Sequence, residues 1–225
     1  MQKNNPFPKV QQHWIFYALI FVGGFFGVYT FSVRGGVFSN AQTANVALFA
    51  MNLGSGNWQK ALYFLIPMSA YFLGAVLSEF LGQKLSDHKR LQWAHAFIAV
   101  DIVAVIFLGL LPKSAPDQIC QVVLNFICSM QFNTFRINEG TPMATIFVTN
   151  HIRETGSNLV RSLLHKNKQS AKLWKTHVGM IVMFILGGIA SAVLCRYFDV
   201  RAIFGALPVL LYIFIRLVVK TSRQN

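Results

Sequence analysis

The feature that most limits what this chain can become is its set of apolar runs. Residues 14–33, 61–82, 91–111, 177–195 and 203–219 each approach the roughly 20 residues that span a hydrocarbon core. A shorter run lies at 118–135. Only 12% of the residues are charged, 54% are hydrophobic and the mean hydropathy is +0.49. A soluble domain would carry about twice that charge. The four tryptophans, Trp14, Trp58, Trp93 and Trp174, fall at or just before the start of a run. Indole prefers that place because its ring is half buried there while its N–H stays wet. The expectation is an all-α integral membrane protein.

Charge and cysteine content remove other classes. The formal net charge of +13 suggests nucleic acid at first, but loop Lys and Arg beside anionic lipid account for it, so no nucleic-acid partner is expected. Lys3 and Lys9 precede the first run as in a signal peptide. That run is too long and lacks a small-residue cleavage site, so it reads as a retained helix. Cys120, Cys128 and Cys195 have no ligand spacing and lie inside expected helices, where they pack as small residues. No H-E-x-x-H motif appears, and neither a metal nor a cofactor is expected.

The two halves of the chain look alike. LGAVLSEFL at 73–81 matches LGGIASAVL at 186–194, placing Gly74 over Gly187 and Ser78 over Ser191. The Gly-x-x-x-Ser spacing lets helix backbones approach closely. Upstream, SNAQTAN at 39–45 lies opposite MATIFVTN at 143–150, pairing Thr43 with Thr149. Repeat 1 spans about 14–111 and repeat 2 about 117–219, within one membrane domain flanked by tails at 1–12 and 220–225.

Two polar segments, 35–56 and 140–164, interrupt the apolar pattern. If each enters and leaves on one side, the chain crosses six times. The Lys and Arg then divide fifteen to five, with Arg34, Lys60, Lys113, Arg196 and Arg201 in the minority. If both cross fully, the division weakens to thirteen against seven. The positive-inside rule favours six crossings with both termini cytoplasmic, which makes the halves inverted repeats. Many secondary transporters are built that way, with sites where discontinuous helices meet.

The stretches GGFFGVYTF, GGVFSNAQTAN and SMQFNTFRINEGTPMATIFVTN resemble the YoaK-like family of bacterial multi-pass membrane proteins, over about residues 14–200. The resemblance implies a bacterial inner-membrane location and a family of uncharacterised function. Where that family has Thr-Gly-Asn this chain has Thr43-Ala44-Asn45, and its second Thr-Gly reads Thr149-Asn150.

Thr43, Asn45, Gln131, Asn133 and Thr149 are the candidate solute-binding residues, because amides and hydroxyls inside an apolar bundle either line a site or tie helices together. Asp101, at the middle of its run, is the candidate for proton coupling. Glu79 reads as snorkelling or pairing at an interface, Arg136 as a partner of Glu139, and Arg34 as an interface anchor. A serine-protease reading would need Ser55 with His177, but Gly54-Ser55-Gly56 is ordinary turn composition, and no enzyme is expected. The leading expectation is a small secondary transporter or permease for a small polar solute, compatible with a homodimer. The alternative is a scaffold or partner-binding protein whose polar segments lock the bundle.

Overall fold

A computed structural model of the chain describes residues 13–84, 87–138 and 141–222. Lys3, Lys9 and the remainder of the first tail, Glu139 and residues 223–225 lie outside the described residues. The elements are α1 (His13–Val33), α2 (Gln42–Gly54), α3 (Trp58–Lys84), α4 (Asp87–Leu110), α5 (Asp117–Thr134), α6 (Thr149–His165), α7 (Lys168–Phe198) and α8 (Leu207–Ser222). A 3₁₀ segment, Asp199–Ala206, joins α7 to α8. A two-residue antiparallel ladder, Ile137–Asn138 with Thr141–Pro142, follows α5 where the sequence had suggested no strand.

Four stretches are long and apolar enough to cross a membrane: His13–Val33, Trp58–Lys84, Trp93–Leu110 and Lys168–Val219, the last holding both α7 and α8. The α5 helix falls short on hydropathy because Gln121, Asn125, Gln131 and Asn133 interrupt it, although most of its residues are buried. The outward surface is apolar. Phe72, Val76 and Phe80 on α3, Val103 and Phe107 on α4, and Ile185, Ile189 and Val193 on α7 are all exposed. So continuous a greasy exterior is what lipid-facing helices present, and this is a helical membrane protein.

At the centre lies α1, with more than half of its residues buried, packed against α7 and the 3₁₀ segment, while α5 packs against α3 and α4 against α8. The small residues read from the sequence decide two of these contacts. A Cβ on Gly187 would stand 2.0 Å from the Phe21 carbonyl oxygen, and one on Gly24 2.2 Å from that of Phe184. On the other pair, a Cβ on Gly74 would meet the Phe126 carbonyl oxygen at 2.5 Å. Backbone touches backbone at all three points, which side chains would prevent.

One end of the bundle collects Arg34, Lys113, Asp117 and Asp199. Lys113 pairs with Asp199, Arg34 stands 3.5 Å from Asp117, and the Tyr29 hydroxyl donates to the Val200 carbonyl at 2.7 Å.

Candidate functional site

Both segments between helices return along α1. Gly35 and Gly36, with φ of +79° and +72°, reverse the chain after α1, a conformation that side chains resist. The following residues then run back until Asn40 Nδ2 donates to the Gly23 carbonyl at 2.8 Å. That contact lies about 15 Å along α1 from its end, at 1.5 Å per residue. Asn40 is seated there because Gly27 has no side chain: a Cβ would stand 2.3 Å from Asn40 Oδ1. After the turn at Ser55 and Gly56, α3 brings the Tyr63 hydroxyl back to Gln121, whose Nε2 also donates to the Arg34 carbonyl. The chain between Arg34 and Tyr63 therefore leaves and returns to the same end.

The second segment approaches from the other direction. After the short ladder, residues 143–148 reach the middle of α1, where a Cβ on Gly23 would be 2.8 Å from both Ile146 Cα and the Thr145 carbonyl. Gln131 Nε2 ties this place together, donating to the Leu19 carbonyl at 3.1 Å and the Thr145 carbonyl at 3.0 Å. The glycine-lined waist of α1 thus receives Asn40 from one half and Thr145 from the other.

Around the waist is a polar interior. Asp101 is fully buried, and neither carboxylate oxygen has a hydrogen-bond partner among the described residues. Its electrostatic neighbour is Cys128, which lies beside Ser39. The oxygens Gln131 Oε1 and Thr145 Oγ1 are likewise buried without partners among the described residues. Buried polar atoms without partners are uncommon, and a group of them marks a place where another molecule or water can be received.

The candidate residues from the sequence separate. Asn45 is buried and clamps the preceding turn, accepting from the Phe38 amide at 3.0 Å and donating to the Phe38 carbonyl at 2.6 Å. Gln131 is at the waist, as above. Asn133 donates to the Ala75 carbonyl on α3 and accepts from Arg136, which pairs with Glu79 at 2.8 Å. These three residues border an open groove of about 520 Å³ between α3 and α5. Thr43 and Thr149, each in the first turn of its helix, are exposed. Among the described residues, no hydrogen bond joins any two of the five. Gln131 shares the waist with Thr145, and Asn40 reaches it from the first segment.

Other readings change as well. Arg34, expected as an interface anchor, is fully buried, with its side chain against Tyr29 and Asp117. Arg136 pairs with Glu79, and its expected partner Glu139 lies outside the described residues. Ser55 Oγ donates to the Met51 carbonyl, and His177 is engaged with His151, so the two do not form a dyad.

Three groups escaped the sequence reading. Gln121, Asn125, Ser129 and Asn133 form an i, i+4 stripe along α5 facing α2 and α3, with Gln42 Nε2 donating to Asn125 Oδ1 at 2.7 Å. That spacing was available as a signal. His151 and His177 form a buried pair between α6 and α7, with ring nitrogens 2.8 Å apart, and His151 Nε2 also meets the Ala144 carbonyl at 2.8 Å. Burial pushes the pKa of His151, which lies outside the four candidate spans, below its usual value. No local pattern announces contacts between residues so far apart in sequence. The third group is Arg34 with Tyr29 and Asp117.

Over residues 15–216 the chain matches the family described as "Protein of unknown function (DUF1275)". The chain belongs to this family. The DUF1275 match begins in the first turn of α1 and ends inside α8, so the waist, the α5 stripe and the histidine pair all lie within it. Neither the curated proteins nor the solved structures offer a match.

Proposed function

We propose that the protein is a small secondary transporter or permease of the bacterial cytoplasmic membrane. Its two halves would be inverted repeats, and a small polar solute would bind at the waist of α1. The observation that carries the reading is the convergence of two interrupted segments, through Asn40 and Thr145, on Gly23 and Gly27. Irregular backbone at membrane depth is tolerated where protein or a water-filled cavity covers it, and transporters place their sites there.

The packing supports the repeat. Exchanging α1 with α5, α2 with α6, α3 with α7 and α4 with α8 maps the α1–α7 contact onto α5–α3 and the α2–α3 contact onto α6–α7, while α4–α8 maps onto itself. Six crossings (α1, α3, α4, α5, α7 and α8) leave Arg34, Lys113 and their acidic partners at the less basic, external end. Asp101 serves as the proton-coupling carboxylate beside the waist. No catalytic group, cofactor, metal or nucleic acid enters this reading, and a homodimer is compatible with it.

Thiol labelling tests it. In a variant lacking Cys120, Cys128 and Cys195, cysteines at Ser39 and Thr145 are exposed to an impermeant reagent from each face, with Ser55→Cys and Lys166→Cys as end markers. The transport reading requires the markers to label from opposite faces and at least one waist position to react. Inert waist positions favour the scaffold reading, for which the amides of Asn45, Gln131 and Asn133 already act as ties to backbone carbonyls.

A further inference from the structure

Arg34 is fully buried, yet neither terminal amino group makes a hydrogen bond among the described residues. Its Nε reaches the Tyr29 hydroxyl at 3.5 Å, and its Nη1 stands 3.5 Å from Asp117 Oδ1. Guanidinium and carboxylate ordinarily close to about 2.7–2.9 Å, often through two parallel bonds. Here the charges are near each other but the donors go unused.

The surroundings hold the side chain in place. The Arg34 carbonyl accepts from Gln121 Nε2 at 2.7 Å, and Tyr29 is fixed by its bond to the Val200 carbonyl at 2.7 Å. Around them the packing is close: a Cβ on Gly35 would stand 2.5 Å from both Gln121 Nε2 and the Tyr63 hydroxyl and 3.2 Å from Asp117 Oδ2, so a ligand reaches the cation only where Asp117 gives way. Asp117, at the start of α5, has a side chain 39% exposed and can turn toward solvent. The amino end of that helix also favours negative charge.

We propose that Arg34 is the recognition group of a small-carboxylate binding site, and that Asp117 is a stand-in which an incoming carboxylate displaces. Burying a guanidinium with donors unmade is costly, and its flat fork is matched to two carboxylate oxygens. The free carboxylate takes the bidentate position that Asp117, tethered to α5, does not reach, and the Asp117 side chain moves out to water. This site lies beyond the waist of α1 and does not depend on the transport reading.

The test uses the full chain purified in detergent, with sodium acetate as the probe against equal sodium chloride, and reads the unfolding temperature. Acetate is expected to raise Tm in the wild type. Arg34→Lys, which keeps the charge and loses the fork, is expected to show roughly tenfold weaker apparent affinity. Asp117→Asn removes the competing carboxylate and is expected to strengthen the response. No acetate effect on the wild type, an Arg34→Lys response equal to the wild type, or an Asp117→Asn response no stronger than the wild type overturns the site. Because solute flux plays no part in this readout, failure of the site and failure of the transport reading are separately visible.

Discussion

His151 and His177 meet across α6 and α7 with their Nδ1 atoms 2.8 Å apart, and the remaining contacts fix which ring carries which proton. A carbonyl oxygen only accepts, so His151 Nε2 must donate to Ala144. Neutral His151 then offers a lone pair at Nδ1, and His177 must donate to it. The lone pair left over, on His177 Nε2, is buried without a partner among the described residues. The pair thereby pins the second interrupted segment, through Ala144, to α7.

Acid should loosen that pin. With its folded pKa depressed by burial, neutral His151 contributes stability that is complete above its unfolded pKa of about 6.5. The contribution is lost as pH falls below that value toward the folded one. Thermal unfolding in detergent should show Tm falling with acidification in that window. In His151→Gln, which keeps a donor toward Ala144 and cannot titrate, the slope should flatten. An unchanged slope would mean that other groups set the acid response.

The close backbone contact between α1 and α7 leaves no space for a methyl group. Gly187→Ala is expected to cost about 1–3 kcal/mol through overpacking against Phe21. Gly54→Ala, with nothing within 4 Å, should be neutral or slightly stabilising. Equal effects at the two positions in unfolding experiments would contradict the packing described.

Asp101 is a fully buried carboxylate without a hydrogen bond among the described residues, so its presence is a cost to the fold. Asp101→Asn should therefore leave Tm unchanged or raise it, while abolishing any proton-driven flux in proteoliposomes. A variant that is markedly less stable would reveal Asp101 as a structural tie.

The amide pair Gln42–Asn125 joins α2 to α5. A double-mutant cycle with Leu at both positions should give a coupling of about 0.6 kcal/mol, with 1.7 as an upper bound, as measured for polar pairs between membrane helices. Zero coupling would mean the pair is not formed in the membrane.

The sequence disclosed whatever depends on local composition. The runs at 14–33 and 61–82 fall within α1 and α3, and Gly74 and Gly187 are found at helix contacts as their spacing suggests. Side-chain direction at the interrupted segments was not legible. Thr43 and Thr149 point outward while Asn40 and Thr145 point in, because the register of a short helix depends on where its first turn begins. Arg34 looked like any basic residue after a membrane helix, and its burial depends on Tyr29 and on the start of α5, far along the chain.

The amide stripe on α5 bears on how the chain is made. Asn, Gln and Asp weaken partitioning from the insertion machinery into lipid, and α5 carries Asp117, Gln121, Asn125, Gln131 and Asn133. On the six-crossing reading, such a helix would not readily enter the bilayer alone. In the folded chain α3 receives its polar edge, through the Tyr63 hydroxyl and the Ala75 carbonyl. On that reading the first half of the chain would act as a template for the second during biogenesis, and a fragment starting at Asp117 would lack the surface against which its own first helix packs.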